Sequence, residues 1–67
     1  IFQKFGKILR QKRREKNLTQ EELADLAGIH RTYVAGIELG LRNPSLKNII
    51  RIAKALGIKS SELFKNF

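Results

Sequence analysis

Thr19-Gln-Glu-Glu-Leu-Ala-Asp-Leu-Ala-Gly28-Ile-His-Arg-Thr-Tyr-Val-Ala-Gly-Ile-Glu38 is the stretch on which the fold turns. Its opening residues, Thr19-Gln20-Glu21-Glu22, spell a capping box. In that arrangement the Thr19 hydroxyl accepts from the Glu22 amide while the Glu22 carboxylate reaches back to the Thr19 amide. The pattern predicts a helix from Thr19 to about Ala27, stopped at Gly28, where a left-handed backbone carries no Cβ penalty. A further helix is expected from about His30 to Leu39, closed by Gly40. The few residues around Gly28 are too short for an antiparallel hairpin and suit a turn of roughly 90–120°. Such a corner needs a small residue where the helices cross, and Ala24 supplies it. Leu23, Ala27 and Ile29 close one side of the corner, and Val34 and Ile37 close the other. With Gly28, seven positions meet the steric pattern of a helix-turn-helix at a single register.

Outward from this core the chain continues to read as helix. Apolar residues recur at spacings of three and four, and no alternating strand pattern appears. Phe5, Ile8 and Leu9 form an inner stripe on a helix from about Phe2 to Arg14, ended by Asn17. Ser45, after the single proline Pro44, caps a helix through Leu56, with Leu46, Ile49, Ile50, Ala53 and Leu56 inward and Gly57 at its end. Ser60 or Ser61 starts a last short helical turn through Phe64. No repeat or linker divides the chain, so the expectation is one all-α domain of five helices over residues 1–67. The helix-turn-helix occupies about 19–39.

Composition narrows the function before any motif is used. A chain of 67 residues buries only about 60% of its unfolded surface. With no cysteine, neither a disulfide nor a thiolate metal site supports the fold, a usage that fits a reducing cytoplasm. Helix packing and self-association remain as supports. Fourteen Lys and Arg against six Asp and Glu leave a net charge of +8. Half of the positive residues, Lys4, Lys7, Arg10, Lys12, Arg13, Arg14 and Lys16, fall in the first sixteen positions. Such an excess attracts polyanions. No apolar run approaches the ~18 residues of a membrane span, and none reads as a signal-peptide core, so no membrane partner is expected. The chain opens on Ile1 rather than Met, so residues are expected to precede it. An enzyme is not expected: there is no metal cluster, no nucleophile beside a base and no phosphate-cradling glycine loop, and no cofactor is implied. Single-stranded RNA binding lacks its stacking aromatics, since the four Phe lie in apolar stripes.

The residues also carry a family resemblance. Leu18-Thr-Gln-Glu-Glu-Leu-Ala24, Ala27-Gly28-Ile29, Tyr33-Val34-Ala-Gly36-Ile37-Glu38 and Arg42-Asn-Pro-Ser-Leu46 resemble the Cro/cI-type (XRE) helix-turn-helix regulators. Ile52-Ala-Lys-Ala-Leu56 and Leu63-Phe64 extend the likeness to nearly the whole chain. Within that superfamily, Arg31-Thr-Tyr-Val-Ala-Gly-Ile-Glu38 is most similar to the controller proteins of restriction–modification systems. The resemblance implies a compact lambda-repressor-like domain. It also implies a dimeric transcriptional regulator on a pseudo-palindromic double-stranded DNA operator, controlling restriction–modification genes.

Site residues follow from the same resemblance. Gln20 is expected to place its amide, with the helix N-terminus, on a phosphate. Arg31 and Thr32, in the first turn of the recognition helix, point into the major groove. There Arg31 either forks onto O6 and N7 of guanine or clamps a phosphate, and Thr32 meets a thymine methyl or a phosphate, or caps the helix. Ala35 and Gly36 fall on the groove side one turn later and let the helix lie deep. His30 stands where the family prefers serine or threonine, and is either a phosphate or base contact or simply exposed. Without a second His or any Cys it makes no metal site. Tyr33 packs its ring on the corner, with its hydroxyl free to reach a phosphate. Arg42 and Asn43 in the loop, and Lys47 beyond it, are expected along the DNA backbone, where contacts set register. The family pairs an arginine seven residues before the helix-two glutamine with a glutamate late in helix three, here Arg13 and Glu38. Arg13 is therefore read as structural.

The apolar surplus near the C-terminus suggests an interface. Ile52, Ile58, Leu63, Phe64 and Phe67, on a surface of about 49–67, are expected to form a homodimer. RNA polymerase is a possible further partner through Glu21, Glu22 and Asp25. The competing reading is an antitoxin or coactivator-type adaptor whose main partner is a protein.

Overall fold

Two of the helices begin on a side-chain cap, and all four α-helices end on a left-handed residue supplied by the chain just beyond them. The computed structural model describes residues 2–64. α1 spans Phe2–Glu15, α2 Gln20–Ala27, α3 Arg31–Glu38 and α4 Leu46–Leu56, and a short 3-10 turn covers Ser60–Phe64. No strand occurs among the described residues. The capping box is formed: the Glu22 amide donates to Thr19 Oγ1 at 3.0 Å, and the Thr19 amide donates to Glu22 Oε1 at 2.8 Å. Ser45 caps α4 by accepting from the Asn48 amide at 3.2 Å.

The helix ends share one device. A left-handed residue follows each α-helix: Asn17, Gly28, Gly40 and Gly57, with φ between 57° and 77°. The amide of the residue after it bonds back to a carbonyl five positions earlier, as Ile29 does to Ala24 at 3.0 Å and Ile58 to Ala53 at 3.0 Å. This is the Schellman arrangement, which also asks for an apolar contact from the residue beyond the left-handed one. Those residues are Leu18, Ile29, Leu41 and Ile58. Leu18, Ile29 and Ile58 pack against the core, while Leu41 stays exposed. Gly28 matters most, because its turn sets α3 against α2.

The core joins Phe5 and Leu9 of α1, Leu23, Ala24 and Ala27 of α2, Val34 and Ile37 of α3, Ile49, Ile52, Ala53 and Leu56 of α4, and Leu63. Each helix contributes one apolar stripe, aliphatic or alanine except for Phe5 of α1. The buried stripe of α4 keeps Ile49, Ala53 and Leu56 of the expected one but takes in Ile52 in place of Leu46 and Ile50. Ile49, Ile52, Ala53 and Leu56 face inward, whereas Leu46 is 70% and Ile50 42% exposed. Both sets have helical spacing, and Ile52 decides between them.

Two expectations about the C-terminal region are corrected here. Ile52 and Leu63 are wholly buried within the single chain, so neither offers surface to a second copy. Ile58 is half-buried against the core, Phe64 is exposed and sets its ring edge-on to Phe5 at 5.4 Å, and Phe67 lies outside the described residues. The last element is also not a fifth α-helix. Ser60–Phe64 closes with an i→i+3 bond, Glu62 to Lys59 at 3.0 Å, and the Lys59 amide donates to Glu62 Oε2 at 3.2 Å. Its short run suffices to seat Leu63.

One close approach positions α3. A Cβ added at Gly6 would fall against the Ile37 carbonyl oxygen and stand 2.6 Å from that of Glu38. Glycine there lets α1 lie directly on the end of α3, and any side chain would push the helices apart.

Candidate nucleic-acid interface

The surface formed by α2, α3 and the loop before α4 is braced from beneath by a buried ion pair. Arg13 Nε donates to Glu38 Oε2 at 2.6 Å and Arg13 Nη2 to Glu38 Oε1 at 3.0 Å, a two-pronged contact. The side chains are 10% and 3% exposed. Arg13 Nη1 also donates to the Leu18 carbonyl at 2.7 Å, and Gln20 Nε2 donates to Glu38 Oε1 at 3.1 Å. The Glu38 carboxylate, through these hydrogen bonds, holds the Arg13 guanidinium above its usual range, against the opposing effect of burial. The Arg13–Glu38 pair thus gathers α1, the α1–α2 turn, the start of α2 and the end of α3. Arg13 is accordingly absent from the exposed basic surface, and so in part is Lys12, which lies 3.8 Å from Glu15 and 3.7 Å from Glu62.

Above this brace α3 presents its first turn. Arg31 and Thr32 are exposed. His30 precedes them as the N-cap residue with an extended backbone, φ −77° and ψ 145°, and its side chain makes no capping hydrogen bond. Thr32 lies inside the helix rather than at the cap. Tyr33 is half-buried with its ring on the core, and its hydroxyl accepts from Asn48 Nδ2 at 3.2 Å.

The exposed polar residues fall into two groups. An open cleft of about 700 Å³ brings His30, Thr32 and Tyr33 together with Arg42, Asn43 and Asn48. Arg31 sits in a separate depression with Thr19, Gln20 and Glu21 at the start of α2. Lys47 is exposed in the first turn of α4 and lines neither. Gln20 is half-buried, and the amide expected on phosphate gives one of its N–H groups to Glu38 instead. Gly36 does not face open space. A Cβ there would stand 2.5 Å from Arg42 Cγ, and Ala35 beside it is half-buried.

Asn48 lines the same cleft, and the sequence reading did not single it out. It lies fifteen positions from Tyr33, a separation that no helical period reports. Its only local sign is its place three residues after the Ser45 cap.

Among the described residues no group of His, Cys, Asp and Glu is placed to hold a metal, and no helix is long and apolar enough to cross a membrane. The helix-turn-helix family profile matches residues 9–63, from the Leu9 core position to Leu63. The chain belongs to that family, in its XRE-type branch.

Similar proteins place this helix-turn-helix regulator more closely. It is 50% identical over 60 residues to the control protein C.BamHI of Bacillus amyloliquefaciens, covering 88% of this chain and 74% of the relative. It is 45% identical over 64 residues to the control protein C.MunI of a Mycoplasma species, covering 94% and 86%. The crystal structure of the restriction–modification controller protein C.AhdI from Aeromonas hydrophila superimposes with a TM-score of 0.93 at 52% identity, over 94% of this chain and 96% of that one. The chain is a DNA-binding transcriptional regulator of the controller type, not an enzyme.

Proposed function

We propose that the chain acts in the cytoplasm as a homodimer on a pseudo-palindromic operator that controls restriction–modification genes. A twofold dimer would set two copies of α3 into successive major grooves about 34 Å apart. The observation that carries this reading is the exposed first turn of α3, flanked on one side by the start of α2 and on the other by the Arg42–Asn43 loop. Arg31 is the base reader, forking onto O6 and N7 of guanine, and Thr32 touches a neighbouring base or phosphate. Gln20, steadied by Glu38, keeps its second N–H for a phosphate. Arg42, Asn43 and Lys47 grip the backbone and fix register, with His30 and the Tyr33 hydroxyl at the edge of the same cleft. Ala35 lets α3 lie deep in the groove. Glu21, Glu22 and Asp25 are exposed on α2 and offer an acidic surface to RNA polymerase.

Footprinting with a duplex selected by the protein from a randomised pool tests the operator reading. Arg31→Ala is expected to cost about 1–3 kcal/mol of binding and to relax the preference at one base position per half-site. Equal weakening on every sequence would make Arg31 a phosphate contact instead.

The dimer surface rests on Phe64 and Ile58 together with the exposed Ile50 of α4, now that Ile52 and Leu63 are core. Sedimentation at micromolar concentration should report the dimer, and Ile50→Glu should shift it to monomer without unfolding it. A wild-type chain that sediments only as monomer removes the two-half-site arrangement.

A further inference from the structure

A glycine in the interior of a helix is unfavourable by roughly 0.5–1 kcal/mol relative to alanine, so its presence in an exposed helix asks for a compensating reason. Gly36 lies inside the eight-residue α3, two positions before its last residue. Its carbonyl accepts from both the Leu41 amide at 2.9 Å and the Arg42 amide at 3.2 Å, which pins the following loop onto α3. The missing Cβ is then filled by the same loop. At the ideal Cβ position the Arg42 Cγ would be 2.5 Å away and its Cβ and Nε each 3.5 Å away. The aliphatic stem of Arg42 therefore lies across α3 in the space that a side chain at 36 would occupy. Its course brings the arginine to the cleft shared with Thr32, Tyr33 and Asn43.

We infer that Gly36 is a positioning residue for DNA recognition: it forms the seat that sets the direction of the Arg42 guanidinium relative to α3. The inference rests on the operator reading for its effect on binding, but the seat itself is a property of the free protein. Backbone bonds from the Gly36 carbonyl fix where Arg42 starts, and the absent Cβ fixes which way it goes. Without the seat, Arg42 would have to leave α3 by rotation about χ1, since Cγ is too close to a new methyl group to remain. The loop backbone would stay in place. The loss would fall on recognition rather than on folding, because alanine is the better helix former.

Gly36→Ala separates the possibilities. In the free protein, three-bond couplings that report χ1 of Arg42 should move to a different rotamer, while the melting temperature holds or rises. An unchanged χ1 overturns the inference. On a duplex selected from a randomised pool by the wild-type chain, G36A and R42A should each weaken binding by about tenfold or more, and the double variant should bind no worse than R42A alone. If the two losses multiply, Gly36 acts on DNA independently of Arg42 and the inference fails. Wild-type affinity in G36A fails it as well. If the wild-type chain selects no sequence at all, the operator reading falls, and the χ1 measurement still decides whether Gly36 seats Arg42.

Discussion

Glu38→Ala is expected to destabilise the domain by about 3–5 kcal/mol, the range found when one partner of a buried ion pair is removed. The large effect comes from what is left behind. Without the carboxylate, the Arg13 guanidinium keeps the Leu18 carbonyl as an acceptor but loses both bonds to Glu38. Gln20 loses its acceptor at the same time. A charge held in a site this sheltered must either remain unpaired or draw α1 away from α3 to reach water. Each kcal/mol shifts the melting temperature of a domain this small by roughly 4–8 °C, so even the lower figure is a fall of more than ten degrees. A melting temperature unchanged in E38A would mean that the pair contributes nothing.

The companion variant gives the sign of the pair itself. Arg13→Met with Glu38→Leu removes both charges and fills much of the same volume, and buried pairs replaced in this way are often neutral or stabilising. The double variant is therefore expected to recover most of the stability that E38A loses. Its DNA binding should still fall, because Gln20 and the end of α3 lose the carboxylate that holds them in register. Stability and binding would then separate in one protein. If binding follows stability instead, the brace holds only the fold.

How far the sequence disclosed this arrangement depends on the distance over which each feature is specified. The Thr19–Glu22 box, the Gly28 stop and the Ser45 cap are built from residues within a few positions of each other, and their hydrogen bonds follow from local spacing. The Arg13–Glu38 pair spans 25 residues and was legible only through a family resemblance. Three contacts could not be read from local spacing. Gly6 against the α3 carbonyls, Gly36 beneath Arg42 and Asn48 on Tyr33 each join segments that meet only after the helices pack. Ile52 and Leu63 were placed at the surface for other reasons. On α4, a stripe of Leu46, Ile49, Ile50, Ala53 and Leu56 and one of Ile49, Ile52, Ala53 and Leu56 both satisfy helical spacing, so periodicity cannot say whether Ile50 or Ile52 turns inward. Leu63 was misplaced because a single 3-10 turn has no amphipathic pattern to read. It is buried because its turn packs against both α1 and α4, segments far from it in sequence.

Affinity for the proposed operator should fall about 10³–10⁵-fold between 50 and 200 mM salt if the proposed dimer makes ~6–10 phosphate contacts. The net charge of +8 does not set this slope; the number of phosphates neutralised does. Arg13 is spent on Glu38, and Lys12 lies within ion-pair distance of Glu15 and Glu62. Arg42 and Lys47 flank the recognition helix, and replacing either with alanine should lower the salt slope by about one per protomer and weaken all sequences alike. Arg10, Arg14 and Lys16 are exposed on and just after α1 and line neither of the two depressions. Alanine at those positions should slow association at low salt, where the Debye length is long, and change the slope by much less. Titrations across the salt range with R42A, K47A and K16A measure the difference directly. A K16A slope lowered as far as that of R42A would place α1 on the DNA backbone and require the duplex to wrap past the edge of the helix-turn-helix.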